Sequence, residues 1–177
     1  VLFSMIVAPF LIRYNQALAR FCARPSSQKE DHAAQAGIQT ISHIRDHVII
    51  CGYGRIGQSV GHLLEEERIP YVALDLDPSR VKEANIAGEQ VFYGDASERN
   101  ILEAVGVGTA RLVVIGHADV ASAHKTLHHL RTLRPDLPVM VRTRDESHVD
   151  ELRAAGATEV VPETLEAGLM IAAHALV

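Results

Sequence analysis

Apolar residues recur along this chain in two rhythms. Short β-branched runs alternate with stretches whose apolar positions fall three and four apart. His47–Cys51 (HVIIC) reads as a buried strand, and Arg55–Glu67 carries Ile56, Val60, Leu63 and Leu64 at helical spacing. Tyr71–Leu76 is predicted as the second strand, followed by a helix from Pro78 to Ala87, with Pro78 suited to its first turn. Gln90–Tyr93, Arg111–Ile115, Val139–Thr143 and Glu159–Val161 read as four further strands. Between and after them, helices are predicted over Arg99–Val105, Ala121–Leu133, Ser147–Ala155 and Glu163–Val177. Strands and helices in strict alternation predict an α/β domain: a doubly wound, six-stranded parallel sheet in the order 3-2-1-4-5-6, with helices on both faces. The connections are short, so each crossover is expected to be right-handed.

The amino end has a different texture. Residues 1–12 (VLFSMIVAPFLI) hold no charge, and Arg13, Arg20 and Arg24 follow them. A membrane span needs about 20 apolar residues, so this run is too short to cross a bilayer alone. It reads as the end of a transmembrane helix, with the arginines marking the cytoplasmic side and Tyr14 at the interface. An amphipathic helix that is buried or lies in the membrane surface is the alternative. Three parts are expected: residues 1–24 as the end of that helix and a basic juxtamembrane segment, 25–42 as a linker, and 43–177 as the folded domain.

Charge sharpens this division. The 177 residues carry a formal net charge of −5, yet the first 29 hold four basic residues and no acid. The remainder is acidic, which argues against nucleic acid as a partner. Two cysteines form no disulfide framework, and Cys51 reads as a small apolar residue ending a strand.

Candidate chemistry lies after the first strand. Gly52-Tyr53-Gly54-Arg55-Ile56-Gly57 is a G-x-G-x-x-G between a strand and a helix. Gly52 permits the tight turn, Gly54 lets the backbone approach a phosphate, and Gly57 lets the helix pack close to the strand. Amides at the helix start then face the phosphate. Asp75 lies 23 residues after Gly52 at the end of the second strand, near the roughly 20 expected of a ribose-binding acid. A carboxylate there accepts from ribose hydroxyls and repels a 2′-phosphate, favouring NAD or an adenine mononucleotide over NADP. Asp77 reads as the cap before Pro78. Asp95 and Ala96 follow the third strand, placed for an adenine amino group and ring, or simply as a turn. Arg142 reads either as an anion or base partner or as a solvated or salt-bridged cation. Ser122 faces the same crevice or merely starts a helix. His124 and His128 stand i, i+4 without an H-E-x-x-H pattern, so a polar helix surface is expected there rather than zinc. No catalytic residue is assigned.

Four segments in order carry a family resemblance: HVIICGYGRIGQSVGHLL, VALDLDPSRV, VFYGDASERNILEAVGV and VMVRTRDESHVDELRAAGATEVV. Together they resemble the TrkA-N (RCK, or KTN) domain of bacterial potassium transport proteins. The version attached to Kef-type monovalent cation:proton antiporters is the most similar. The resemblance implies a cytoplasmic regulatory domain at the bacterial inner membrane, not an enzyme. It implies adenine-nucleotide binding (NAD(H) or AMP), homodimerisation, and gating of potassium and proton movement through the transmembrane domain of the same polypeptide. Carried over by motif, the contacts are Gly52, Gly54, Arg55, Ile56, Asp75, Leu76, Asp95, Ala96 and Arg142, with Ser122 matching less closely. Glutathione-gated members have arginines where His62 stands and near Pro162; their absence argues against glutathione gating. An NAD-dependent oxidoreductase shares the glycine turn but usually adds a substrate domain. A soluble Trk-type subunit differs only at residues 1–24.

Overall fold

The computed structural model describes residues 44–164. Expectations for residues 1–43 and 165–177, including the transmembrane end, the linker and the last helix beyond Thr164, lie outside the described residues. Among the described residues, no helix is long and apolar enough to cross a membrane.

Six strands form one parallel sheet: β1 (Val48–Cys51), β2 (Tyr71–Asp75), β3 (Val91–Tyr93), β4 (Leu112–Ile115), β5 (Val139–Thr143) and β6 (Glu159–Pro162). Their order is β3-β2-β1-β4-β5-β6, as the alternating pattern predicts. The connecting helices are α1 (Arg55–Glu66), α2 (Pro78–Ala87), α3 (Arg99–Ala104), α4 (Val120–Leu133) and α5 (Val149–Ala154). Two short 3₁₀ turns, Val107–Thr109 and Glu146–His148, precede β4 and α5. The second takes over the first turn of the helix expected from Ser147, because the Asp145 side chain accepts from the Ser147 amide.

Alternation along the central strand divides the core into two layers. Ile49 and Cys51 face one layer with Val72, Leu74, Val113 and Ile115, covered by Leu102 of α3, Leu127 and Leu130 of α4, and Leu152 of α5. Val48 and Ile50 face the other with Tyr53, Tyr71 and Ala73, covered by Val60 and Leu64 of α1 and by Val81 and Ala84 of α2. Both faces of β1 and β2 are therefore buried, which is why these strands read as unbroken apolar runs.

Register positions everything that follows. Cys51 pairs with Leu74 on one side and with Ile115 on the other. The next residues, Gly52, Asp75 and Gly116, thus leave the sheet in one row. Main-chain bonds extend the ladder past the strand ends: Gly52 N to Leu74 O at 2.8 Å, Gly116 N to Cys51 O at 2.8 Å, and Gly94 N to Asp75 O at 3.1 Å.

At the opposite end of β1, His47 is fully buried. Its Nε2 lies 2.9 Å from the Val105 carbonyl, an acceptor only, so Nε2 carries the proton. Burial holds the pKa of His47 below the ordinary value, against smaller opposing effects of that hydrogen bond and of Asp46. The fold therefore favours neutral imidazole. That contribution is complete above the unfolded-state pKa of about 6.5 and is lost as pH falls through the lower folded value. The thermal midpoint of the chain is expected to drop between about pH 7.5 and pH 5, with a shallower drop in His47→Gln. Parallel slopes for the two proteins would show that His47 titrates alike folded and unfolded.

Candidate functional site

The row of strand ends opens into a continuous crevice. One part, a cleft of about 360 Å³, is bordered by Gly52, Gly54, Arg55 and Ile56 from the first turn, and by Asp75, His117 and Arg142. The adjoining part, about 230 Å³, shares Gly52, Asp75 and His117 and adds Leu76, Asp95, Ala96 and Ser122. These dimensions suit a small organic ligand. The sequence-predicted residues that border the crevice come from all of the first five strand ends, at the point where the chain winds in opposite directions from β1 and β4.

Each glycine of the turn has a distinct physical reason. Gly52 holds φ +95°, a conformation costly for a side-chain-bearing residue. Gly57 is where α1 presses on β1: a Cβ there would stand 2.2 Å from the Gly52 carbonyl oxygen. Gly54 is different, since a Cβ on it would meet nothing within 4 Å. Its lack of a side chain leaves open space in the cleft, where a ligand could approach the backbone.

Helix α1 begins with no side-chain cap. Its first amides lack intrahelical acceptors and border the cleft. By contrast, Asp77 caps α2 through the amides of Ser79 and Arg80, as expected, and Asp119 caps α4 through Ala121 and Ser122. The sequence thus supplies carboxylate caps to α2 and α4 and leaves the α1 terminus open to an anion.

Asp75 is almost buried, at 6% exposure. One carboxylate oxygen accepts from the Tyr53 amide at 2.6 Å and the other from the Asp77 amide at 2.8 Å. Arg80, in the first turn of α2, reaches both oxygens at 2.7 Å. Burial alone pushes this carboxyl up. The Asp77 amide, the Arg80 guanidinium and the Tyr53 amide outweigh it, and its pKa lies below the ordinary value. The carboxylate expected from the sequence is therefore part of an ion pair in this structure. A ribose must share or displace Arg80, and a 2′-phosphate would meet a cation as well as a carboxylate.

The remaining predicted residues divide. Asp95 accepts from the Ser97 amide at 2.8 Å, a turn contact, while bordering the crevice. Ala96 is buried, and its carbonyl accepts from the Thr126 hydroxyl. Leu76 is 58% exposed and offers an apolar wall. Ser122 both begins a helix and borders the crevice. Arg142 donates to the Gly116 carbonyl at 3.1 Å and forms an ion pair with Glu163, so it reaches the cleft and is salt-bridged. Cys51 has a buried thiol whose pKa is pushed up to about 12 by burial and by Asp95, which leaves it unreactive. His124 does not join His128 in a metal site. It pairs with Glu151 at 2.8 Å, as does His148, and no metal-holding cluster exists among the described residues.

The bordering residues that escaped the sequence reading include Arg80, His117 and Glu163. Arg80 follows Asp75 by five residues, and Pro78 at the helix start turns it back toward that carboxylate. His117 follows Gly116 at the end of β4, beside the end of β1. The predicted strand order contained that signal. Glu163 follows β6, borders the cleft and pairs there with Arg142.

The fold is a Rossmann-like doubly wound domain with an open crevice at the carboxyl ends of its strands. The TrkA-N domain model matches residues 48–163, and the chain belongs to that family. Over 99% of its length it is 54% identical to a putative K(+) efflux antiporter KefB of Alkalimonas amylolytica, of which it covers 27%. Over 77% of its length it is 34% identical to the glutathione-regulated potassium-efflux system protein KefC of Cronobacter sakazakii, of which it covers 22%. The chain thus spans about a quarter of these relatives. A solved structure of the Shewanella denitrificans Kef CTD in AMP-bound form superposes with TM-score 0.64 at 33% identity, covering 73% of this chain and 78% of that one.

The glycine geometry gives a paired expectation. Gly57→Ala should lower the urea midpoint by the equivalent of at least 2 to 3 kcal/mol, roughly the upper range for overpacking, because backbone must move to admit the methyl. Gly54→Ala should change stability by less than about 1 kcal/mol. Equal losses in the two variants would contradict the assignment of close packing to Gly57 alone.

Proposed function

We propose that residues 43–177 form a nucleotide-sensing regulatory domain of a monovalent cation:proton antiporter of the Kef type. The single observation that carries this reading is the composite crevice: an uncapped helix start over a glycine turn, with Asp75 and Asp95 along the same opening. A relative with 33% identity was solved with AMP bound, which supports an adenine nucleotide as the ligand class. The phosphate would lie against Gly52, Gly54 and the amides of Arg55 and Ile56, with Gly57 holding the helix in place. The ribose would lie at Asp75 and the adenine between Leu76, Asp95 and Ala96. Ser122 and Arg142 would complete the rim.

In this reading residues 1–24 end the last transmembrane helix and residues 25–42 link it to the domain. The partners are the antiporter part of the same polypeptide and a second copy of the domain at the cytoplasmic face of the bacterial inner membrane. Potassium, or another monovalent cation, and protons move through the transporter. A ligand biases such a pathway only by binding two conformations with different affinity. The domain itself performs no chemistry on the nucleotide. Glutathione is not expected as the signal in this reading, because His62 and Pro162 stand where glutathione-gated members have arginine.

Isothermal titration of the chain with AMP, NADH and NADPH tests the reading. Binding of at least one adenine nucleotide is expected, and absence of all binding overturns it. Asp75→Asn should weaken AMP and NADH at least tenfold, about 1.4 kcal/mol, by replacing a charged acceptor. Arg80→Ala should leave Asp75 as a bare anion. The preference for NADH over NADPH is then expected to widen, on the order of tenfold. An unchanged preference would show that Arg80 plays no part at the 2′ position, and a narrower one would reverse the role assigned to it.

A further inference from the structure

His117 belongs to both parts of the crevice. It follows β4 at the sheet's switch point, and its ring lies over the glycine turn. A Cβ built on Gly52 would stand 3.3 Å from His117 Cβ and 3.6 Å from Cδ2. The missing side chain at Gly52 therefore also lets the backbone N and Cβ of His117 approach closely, with the ring edge at ordinary contact distance. His117 thus stands where the two parts of the crevice meet, beside Gly52 and Asp75. Its Nδ1 is shielded from solvent and has no well-aligned hydrogen bond.

The charges around His117 are distributed over every neighbouring element. Asp75 at the end of β2, Asp95 after β3 and Asp119 in its own loop are the carboxylates that act on it. Arg80 of α2 is engaged by Asp75 and Asp77, and Arg142 of β5 by Glu163. Arg55 lies at the mouth, on α1. The Cys51 thiol stays protonated. His117 is thus the bordering group able to change charge near neutral pH. Burial holds its pKa below the ordinary value, while the three carboxylates oppose this.

We propose that His117 is a ligand-contacting residue of this crevice that takes up a proton when a nucleotide phosphate binds, so that affinity rises as the surroundings acidify. The proposal rests on the nucleotide reading above. A phosphate beside the ring favours imidazolium, so the bound state holds more protons than the free state. By linkage, affinity then increases as pH falls from above the bound pKa toward the lower free value, by at most about tenfold per pH unit. A domain with this property would report acidity and nucleotide through one site.

The test is calorimetric titration of the full chain with NAD⁺, whose diphosphate keeps its charge across the window, between about pH 8.5 and 6.5. Heats in two buffers of different protonation enthalpy count the protons taken up. Wild type is expected to bind more tightly at the acid end and to take up a substantial fraction of a proton per ligand. His117→Gln should lose both the slope and the uptake. Unchanged slope and uptake in that variant overturn the proposal while leaving nucleotide binding intact. Failure of wild type to bind at any pH overturns the nucleotide reading, and this proposal with it. If His117→Gln does not fold, NMR titration of the imidazoles in wild type decides instead. A resonance whose pKa rises on saturation with NAD⁺, and which is absent from folded His117→Asn, supports the proposal. No rise in any of the ten histidines overturns it.

Discussion

Helix α1 can start where it does only because Gly57 carries no side chain. The Gly52 carbonyl oxygen occupies the space that a Cβ would need, 2.2 Å from its position. That contact draws the uncapped helix start down over the end of β1. It also leaves the Gly52 to Gly57 turn tight enough for Tyr53 to tuck beneath the helix, fully buried, while its amide donates to Asp75. One steric allowance thus couples the uncapped helix end, the core on one face of the sheet and the carboxylate at the end of β2.

The parallel register does the rest. Because Cys51 is level with Leu74 and Ile115, Gly52, Asp75 and Gly116 emerge side by side, although 23 and 41 residues separate them along the chain. A crevice follows directly from that row, since the connections after β1 and β4 leave toward opposite faces of the sheet. Charge is concentrated there and largely paired: Asp75 with Arg80, Glu163 with Arg142. A ligand entering such a site would have to share or rearrange its ion pairs.

The split between what was legible beforehand and what was not follows the range of each interaction. Strand and helix positions were readable because burial on both faces makes β1 and β2 continuous apolar runs, and because the spacing in α1 keeps Val60 and Leu64 on one side. The glycine turn was readable because its requirements are local: a positive φ and a close approach within six residues. Helix caps were equally local, as Asp77 before Pro78 shows. Boundaries slipped where a side chain redirected the first turn, as at Asp145 before α5.

The sequence by itself therefore determined the order of elements, the parallel sheet, the glycine turn and the family resemblance, all of which rest on periodicity or on contacts between near neighbours in the chain. Only the tertiary structure decided the ionic state of Asp75, the placing of His117 over Gly52, and the pairing of Arg142 with Glu163. Each of those depends on which side chains from distant strand ends share a few ångströms of poorly solvated space. Pairwise electrostatics and steric room are set there by geometry, and no spacing along the chain encodes them.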